Sequence, residues 1–192
     1  MPGTVTITAR SKYPKMSNPQ ETPVSLISSG DRWLELVEQG GKTFAQRRFA
    51  QAEVIFLEAL RLAEQFGESD NRLTITLNNL AAAYHSQGKY AMADTEYRRA
   101  LKLNQSIHGP KSVPVACNLH NLAVTHCAKF EYAEAEPLYI EAIAIKEKEL
   151  GANDLELISV LNNYSQMLFR LNREDEAKAI EERIRQINNQ GK

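Results

Sequence analysis

The chain has 192 residues and a formal net charge of −1, because 23 Lys and Arg side chains offset 24 Asp and Glu side chains. Apolar residues make up 43% of it, which is enough for a continuous core and excludes a globally disordered chain. The balanced charge argues against a protein that mainly holds nucleic acid or an anionic membrane, since both need a basic excess. The longest apolar run, Leu80 to Tyr84, is far shorter than the ~20 residues that span a bilayer.

The first 29 residues differ in composition from the rest of the chain. Four of the seven prolines lie among them, with many Ser and Thr and no acidic residue before Glu21. This composition favours a flexible leader, although an organellar transit peptide is also Ser-rich and poor in acids. A secretory signal has a charged start followed by an apolar block, and the first residues show no such pattern. The predicted location is therefore the cytoplasm, or an organelle if the leader is a transit peptide. Val5 to Thr8 is the only strand-like stretch.

From residue 30 onward the chain repeats itself, with a period of 42 residues in its later copies. Leucines, asparagines and glycines recur at this spacing: Leu77, Leu119 and Leu161; Asn79, Asn121 and Asn163; Gly67, Gly109 and Gly151. Such self-similarity indicates stacked copies of one structural unit. We predict a repeat domain over residues 30–192, with copies at about 30–69, 70–111, 112–153 and 154–192.

Each copy is predicted to form two helices. In the second copy, four apolar residues lie at helical spacing on one face of the first helix: Leu77, Leu80, Ala81 and Tyr84. Gly88 ends that helix, and the second helix runs from Tyr90 to His108 before Gly109. Asp70 and Ser112 are predicted to cap first helices. Small residues early in the second helices, with aromatics four positions later, allow the paired helices to pack closely: Ala52, Ala93, Ala135 and Ala177; Phe56, Tyr97 and Tyr139.

The pattern Leu77-x-x-Leu80-Ala81-x-x-Tyr84, followed by Ala93-x-x-x-Tyr97-x-x-Ala100, resembles the tetratricopeptide repeat. The longer period, in place of the usual period of about 34, resembles the variant found in kinesin light chains and many bacterial proteins. The resemblance implies an all-α, right-handed solenoid of about four antiparallel helix pairs, and it is clearest in the two central copies. The flanking copies depart from the pattern at Gly40, Gly41, Thr43, Leu168 and Glu181.

The resemblance also implies that the first helices line a concave groove that binds an extended protein segment. Ten candidate residues lie along this predicted groove face: Asn78, Asn79, His85, Cys117, His120, Asn121, Val124, Asn162, Asn163 and Gln166. An amide both donates and accepts, so asparagines on helices about 10 Å apart suit the backbone of an extended peptide. The alternative is that they satisfy backbone groups between neighbouring helices. No Lys or Arg accompanies them, so capture of a C-terminal carboxylate, as in chaperone-tail-binding relatives, is not expected.

The sequence contains no constellation typical of an enzyme. None of the four histidines lies beside a nucleophile in a recognisable turn, and no phosphate loop or paired zinc spacing occurs. Cys117 and His120 could provide two metal ligands, but a second pair is missing. Cys117 and Cys127 would be about 15 Å apart on one helix, too far for a disulfide. We therefore expect no catalysis, cofactor or metal, and we expect His126 and Trp33 to be packing residues.

The function predicted from the sequence is a scaffold or adaptor that binds a protein or peptide partner. The expected state is a monomer or weak homodimer, with no nucleic acid and no membrane. Two alternatives are a self-associating structural module and an RNA-binding helical-repeat protein, which would need a basic groove. A further expectation concerns the leader. About twenty residues separate the strand-like stretch from the first helix and could span up to ~65 Å. Residues 4–9 are therefore expected to occupy the concave surface and to restrain the access of a partner.

Overall fold

The computed structural model of the protein describes residues 28–190, and its regular structure consists of helices without any β-strand in that range. The helices are α1 (Ser29–Ala45), α2 (Phe49–Ala63), α3 (Asn71–Ser86), α4 (Tyr90–His108), α5 (Val113–Ala128), α6 (Tyr132–Leu150), α7 (Leu157–Arg170) and α8 (Glu174–Gln190). A 3-10 turn, Glu64–Phe66, continues α2. Residues 1–27 of the predicted leader (residues 1–29) lie outside the described residues, and so do its transit-peptide alternative and the stretch Val5 to Thr8.

The helices form four antiparallel pairs that stack in sequence order. Each described helix packs against the next one along the chain. In addition, α1 contacts α3 and α5 contacts α7. The first helices of the pairs therefore form one layer and the second helices form the other, with contacts confined to neighbouring repeats, as in a solenoid.

The recurring small and aromatic residues of the second helices are the core between the two layers. All seven are at most 1% exposed: Ala52, Ala93, Ala135, Ala177, Phe56, Tyr97 and Tyr139. In the first pair, the residue of α1 that packs on Phe56 is Gly40, where a Cβ atom would lie 2.3 Å from Phe56 Cε1. The departure from the repeat pattern at Gly40 therefore has a packing reason, since α1 approaches Phe56 too closely for any side chain at this position.

The turn inside each pair has the same backbone geometry in all four repeats. One residue per turn adopts a positive φ: Arg47 (61°), Gly88 (76°), Phe130 (64°) and Asn172 (58°). The N–H of the following residue then donates to the carbonyl five positions earlier, as Lys89 does to Tyr84 at 2.9 Å. This is the 6→1 hydrogen bond of a Schellman motif. The sequence indicated it only at Gly88, because the other three turns place a residue with a side chain in the left-handed region.

The connection between successive pairs passes through a glycine at every boundary. Gly67, Gly109 and Gly151 have φ values of 91°, 85° and 102° and ψ values of 167°, 157° and 150°. Residues with a side chain hardly ever adopt this combination. The regular spacing of these glycines in the sequence thus reflects one backbone conformation that is used three times.

The predicted helix caps have different outcomes at α3 and α5. The cap at Asp70 is confirmed, since its carboxylate accepts a hydrogen bond from the Arg72 N–H at 2.8 Å. The prediction for Ser112 is wrong: its hydroxyl donates to the Gly109 carbonyl at 2.9 Å, and no side-chain capping bond forms. Pro114, the second residue of α5, has no N–H, which removes one of the donors that a capping side chain would satisfy.

An acidic residue of a second helix joins each repeat to the next. The three contacts are Glu53 with Lys89, Asp94 with His126 and Glu136 with Arg173, at 2.7, 3.3 and 2.7 Å. The imidazole of His126 is buried, and its Nδ1 lies 2.7 Å from Glu131 Oε2. The predicted packing role of His126, with a satisfied ring, is therefore confirmed.

Candidate functional site

The ten residues of the predicted groove face lie on three neighbouring first helices, α3, α5 and α7. Six of the seven on α3 and α5 are buried: Asn78, Asn79, His85, His120, Asn121 and Val124. The seventh, Cys117, is half-buried. On α7, Asn163 is buried, whereas Asn162 and Gln166 are exposed. The face is therefore buried at its centre and open to solvent at the α7 end.

Polar contacts between side chains join the neighbouring first helices. The first contact links α1 to α3, where Trp33 Nε1 donates to Thr76 Oγ1 at 2.8 Å. Both side chains are buried, with Trp33 3% exposed. The packing role predicted for Trp33 is confirmed, and its indole N–H has the partner that a buried tryptophan needs.

The second contact is a chain of three buried amides that ties α3 and α4 to α5. Asn104 Nδ2 donates to Asn118 Oδ1, and Asn118 Nδ2 donates to Asn78 Oδ1, both at 2.6 Å. The carbonyl of Asn78, one of the predicted site residues, is therefore used inside the protein. Neither Asn104 nor Asn118 recurs at the repeat spacing, so neither was predicted. Asn118 lies in a helix without charged residues, which was its only signal, and Asn104 lies in the charged helix α4 and had none.

The third contact links α5 to α7 through His120 and Asn163. The Asn163 amide donates to His120 Nε2 at 2.8 Å, so the ring proton of a neutral His120 lies on Nδ1. Burial, with a smaller effect of the Lys146 ammonium, lowers the pKa of His120 to about 3. The histidine is thus neutral at physiological pH. Asn163 supports the alternative interpretation of the asparagine column, in which an amide joins adjacent helices.

The other two asparagines of the column have unsatisfied polar atoms. Three buried amide atoms have no hydrogen-bond partner among the described residues: Nδ2 and Oδ1 of Asn79, and Oδ1 of Asn121. The same is true of His85 Nε2, whose ring packs edge-on against Tyr90 with centroids 5.2 Å apart. Burial lowers the pKa of His85. Buried polar atoms without a partner are uncommon in native proteins, and each one calls for an explanation.

Both thiols of the chain lie on α5. Cys117 and Cys127 are free, which confirms that they do not bridge each other. Burial raises the pKa of each thiol, which keeps it protonated at neutral pH, whereas metal binding and nucleophilic attack need the thiolate. Within residues 28–190, no group of three or more His, Cys, Asp or Glu is arranged to hold a metal ion.

Three of the first helices, α3, α5 and α7, differ strongly in charge from the second helices, whereas α1 carries charges of both signs. Helix α5 contains no Lys, Arg, Asp or Glu, and α3 and α7 contain one each, Arg72 and Arg170. The second helices α4 and α6 carry many charges of both signs. The face formed by α3, α5 and α7 is therefore nearly neutral. None of the helices in the described part of the chain combines the length and the apolar character needed to cross a bilayer.

Family comparison agrees with the repeat architecture. A family model described as Tetratricopeptide repeat matches residues 43–106, 72–148 and 114–190. The chain belongs to the tetratricopeptide repeat family, whose fold is a scaffold for protein interactions. No curated protein sequence is detectably similar to it.

Solved structures share the fold. BtubC (BKLC) from P. vanneervenii has a TM-score of 0.72 at 22% identity over 83% of this chain, and the chain spans 63% of BtubC. A candidate kinesin light chain of Podosopora anserina with nearly identical TPR-like repeats has a TM-score of 0.69 at 16% identity, covering 88% of this chain and 81% of that one. A substituted form of the same Podosopora anserina protein gives 0.68 at 16% identity, over 85% and 76%. The predicted all-α right-handed solenoid and the resemblance to kinesin light chain repeats are confirmed.

Proposed function

We propose that the protein is a non-enzymatic scaffold or adaptor, located in the cytoplasm, whose first-helix layer binds an extended segment of a protein partner. The observation that carries this proposal is the set of buried, unpaired atoms on α3 and α5: the amide of Asn79, Nε2 of His85 and Oδ1 of Asn121. A buried polar group without a partner costs about 1–3 kcal/mol. Because these atoms are buried, a peptide can reach them only if side chains of this face move aside, and its backbone then offers both donors and acceptors to them.

The charge of the face defines the kind of segment that would bind. Because α5 has no charged residue and α3 has only Arg72, an acidic or basic peptide would find no opposite charge at the centre of the groove. We therefore expect an uncharged segment. The same neutrality makes an RNA ligand unfavourable, since phosphate binding depends on Lys and Arg. No described feature specifically favours self-association.

A random library of 12-residue peptides, selected on the immobilised full chain, tests the proposal. The affinity of the best peptide is then measured by fluorescence anisotropy with the wild type and with the double variant Asn79→Ala and Asn121→Ala. Each lost hydrogen bond contributes about 0.5–1.5 kcal/mol, so we expect binding at least ~10-fold weaker.

The matched control replaces Asn188 and Asn189, two exposed asparagines of α8, with Ala; this variant should bind like the wild type. Equal affinity for both double variants, or a library without binders, would contradict the proposal. Unfolding of the groove variant, followed by circular dichroism, would show that the asparagines are structural.

A further inference from the structure

His126 of α5 joins the third repeat to the second, and both nitrogens of its buried ring have polar neighbours. Nδ1 lies 2.7 Å from Oε2 of Glu131, and Nε2 lies 3.2 Å from Nη2 of Arg98. A guanidinium has only donors, so Nε2 must accept from Arg98, and the proton of the neutral ring lies on Nδ1 and is donated to Glu131. The contacts with Glu131 and Arg98 therefore describe His126 in its neutral form.

A carboxylate oxygen lies beside the same ring nitrogen. Oδ1 of Asp94 is 3.3 Å from Nε2 of His126, and this oxygen is buried without a hydrogen-bond partner among the described residues. In the neutral form of the ring, both atoms are acceptors and no proton lies between them. A proton bound at Nε2 would give the Asp94 oxygen the donor that a buried polar atom needs.

Arg98 is able to give up its contact with the ring. Its Nε donates to the other oxygen of Asp94, Oδ2, at 2.7 Å, and this bond does not involve Nη2. The side chain of Arg98 is 57% exposed, so Nη2 can turn toward water and keep its charge solvated. A positively charged imidazole ring would favour this movement, because it repels the guanidinium.

Other charged groups surround this end of α5. Lys129 pairs with Glu131 at 2.6 Å. Lys129, and to a smaller extent His126, lowers the pKa of Glu131, so its carboxylate remains an ionised acceptor for Nδ1. Helix α5 itself contains no Lys, Arg, Asp or Glu. The titratable groups at the same end of the other helices around α5 are His85 of α3, Tyr132, Glu134 and Glu136 of α6, and Arg170 of α7.

We propose that His126 is a proton-operated switch between the second and third repeats. When the ring takes up a proton, Nε2 exchanges Arg98 for Asp94, and the guanidinium turns toward solvent. The contact between α4 and α5 thereby changes from a neutral hydrogen bond to an ion pair between imidazolium and carboxylate. The switch does not depend on the proposed peptide binding.

NMR spectroscopy of the full-length chain, with ¹⁵N-labelled histidines, tests the two forms of the ring. At about pH 8 we expect the proton of His126 on Nδ1, and at about pH 5 we expect protons on both nitrogens. His120 is a reference in the same spectra, because its pKa of about 3 keeps it neutral at both pH values. A proton on Nε2 of His126 at pH 8, or a neutral His126 at pH 5, would overturn the inference.

Two single variants test the exchange of partners. Asp94→Asn removes the carboxylate that receives the proton of Nε2, so the proton affinity of His126 in the same titration should fall about tenfold. Arg98→Gln removes the competing guanidinium and should raise this affinity.

The matched control is Glu141→Gln, which changes the net charge as Asp94→Asn does, but at an ion pair with Lys111. It should leave the proton affinity of His126 nearly unchanged. Equal decreases for Asp94→Asn and Glu141→Gln would contradict the switch, since net charge alone would then explain them. If Asp94→Asn does not fold, Arg98→Gln decides alone, and an unchanged or lower affinity in that variant overturns the inference.

Discussion

Contacts within a repeat and contacts between repeats are built on different principles. Within the first three repeats, an aromatic side chain of the second helix shares the core with a small residue of the first, and Phe56 packs directly on Gly40. Between repeats, the first helices meet through polar pairs that differ each time, such as Trp33 with Thr76 and His120 with Asn163. The first kind of contact produces the periodicity of the sequence, and the second kind makes each boundary distinct.

Apolar and polar contacts also differ in how easily they can recur from one repeat to the next. An apolar contact between helices can recur in every repeat because it depends on the size and shape of the packed side chains. A polar joint needs its own matched donor and acceptor, and the loss of one partner leaves the other unsatisfied. We therefore expect the two kinds of joint to respond differently to substitution.

The largest effect is expected at a joint within a repeat. Gly40→Ala places a Cβ atom 2.3 Å from Phe56 Cε1, so α1 must move away from α2, and we expect a loss of about 3 kcal/mol of unfolding free energy. Urea unfolding measures it. Gly41→Ala is the matched control, because nothing lies within 4 Å of that position, and it should be neutral or slightly stabilising. Similar effects of the two changes would show that the close approach is unimportant.

A joint between repeats is expected to be the next most sensitive site. Asn118→Ala leaves Asn104 Nδ2 and Asn78 Oδ1 without their bonds, at a cost of about 2 kcal/mol. Asn79→Ala removes an amide that has no partner among the described residues and should change stability much less. Thermal melting of both variants provides the comparison. If Asn79→Ala were the more damaging change, the polar network would not be what joins α3 to α5.

The joint between α5 and α7 should make stability depend on pH. The pKa of His120 is lowered from 6.5 to about 3, so protons bind the unfolded chain first as the pH falls. The stability from this group is complete above about pH 6.5 and is lost toward pH 3. Between pH 7 and 5 the loss should be about 1–2 kcal/mol.

His120→Asn is the matched variant, since asparagine occupies the equivalent positions Asn78 and Asn162. Urea unfolding at pH 7 and pH 5 should show a smaller decrease for His120→Asn than for the wild type. His85 titrates in both proteins, so the difference between them isolates His120. Identical decreases would mean that His120 is protonated in the folded state.

The smallest effect is expected in the turns inside the repeats. Phe130 adopts a φ of 64° and is 75% exposed, so Phe130→Gly should relieve the cost of a left-handed residue and stabilise the fold by about 1 kcal/mol. Gly88→Ala in the equivalent turn, with φ 76°, should destabilise it by a similar amount. Calorimetric melting temperatures should move in opposite directions. Equal destabilisation by both changes would indicate that the Phe130 side chain makes a stabilising contact.

Much of the fold could be predicted because packing within repeats is periodic. The spacing of leucines and alanines placed the helix pairs, and the boundary glycines recur because only glycine adopts their backbone conformation. The αL turns at Arg47, Phe130 and Asn172 were not visible, since none of these exposed residues is the glycine that usually marks such a turn.

The candidate site was less predictable because it depends on which polar groups pair in space. Asn79 and Asn163 look equivalent in the sequence, yet Asn163 bonds to His120 while Asn79 has no described partner. The partner position, residue 120, is a histidine only in the third repeat. Periodicity identifies a column of residues; pairing within it depends on the neighbouring helix.

The glycines at the repeat boundaries also determine how the molecule could grow. Gly67, Gly109 and Gly151 have nearly the same pair of dihedral angles, and α3 and α5 both begin four residues after their glycine, whereas α7 begins six residues after Gly151. The first two boundaries are therefore the more alike. A copy of residues 70–111 inserted after Lys111 would be joined by a boundary of this shorter kind and should lengthen the first-helix layer by one helix spacing of about 10 Å.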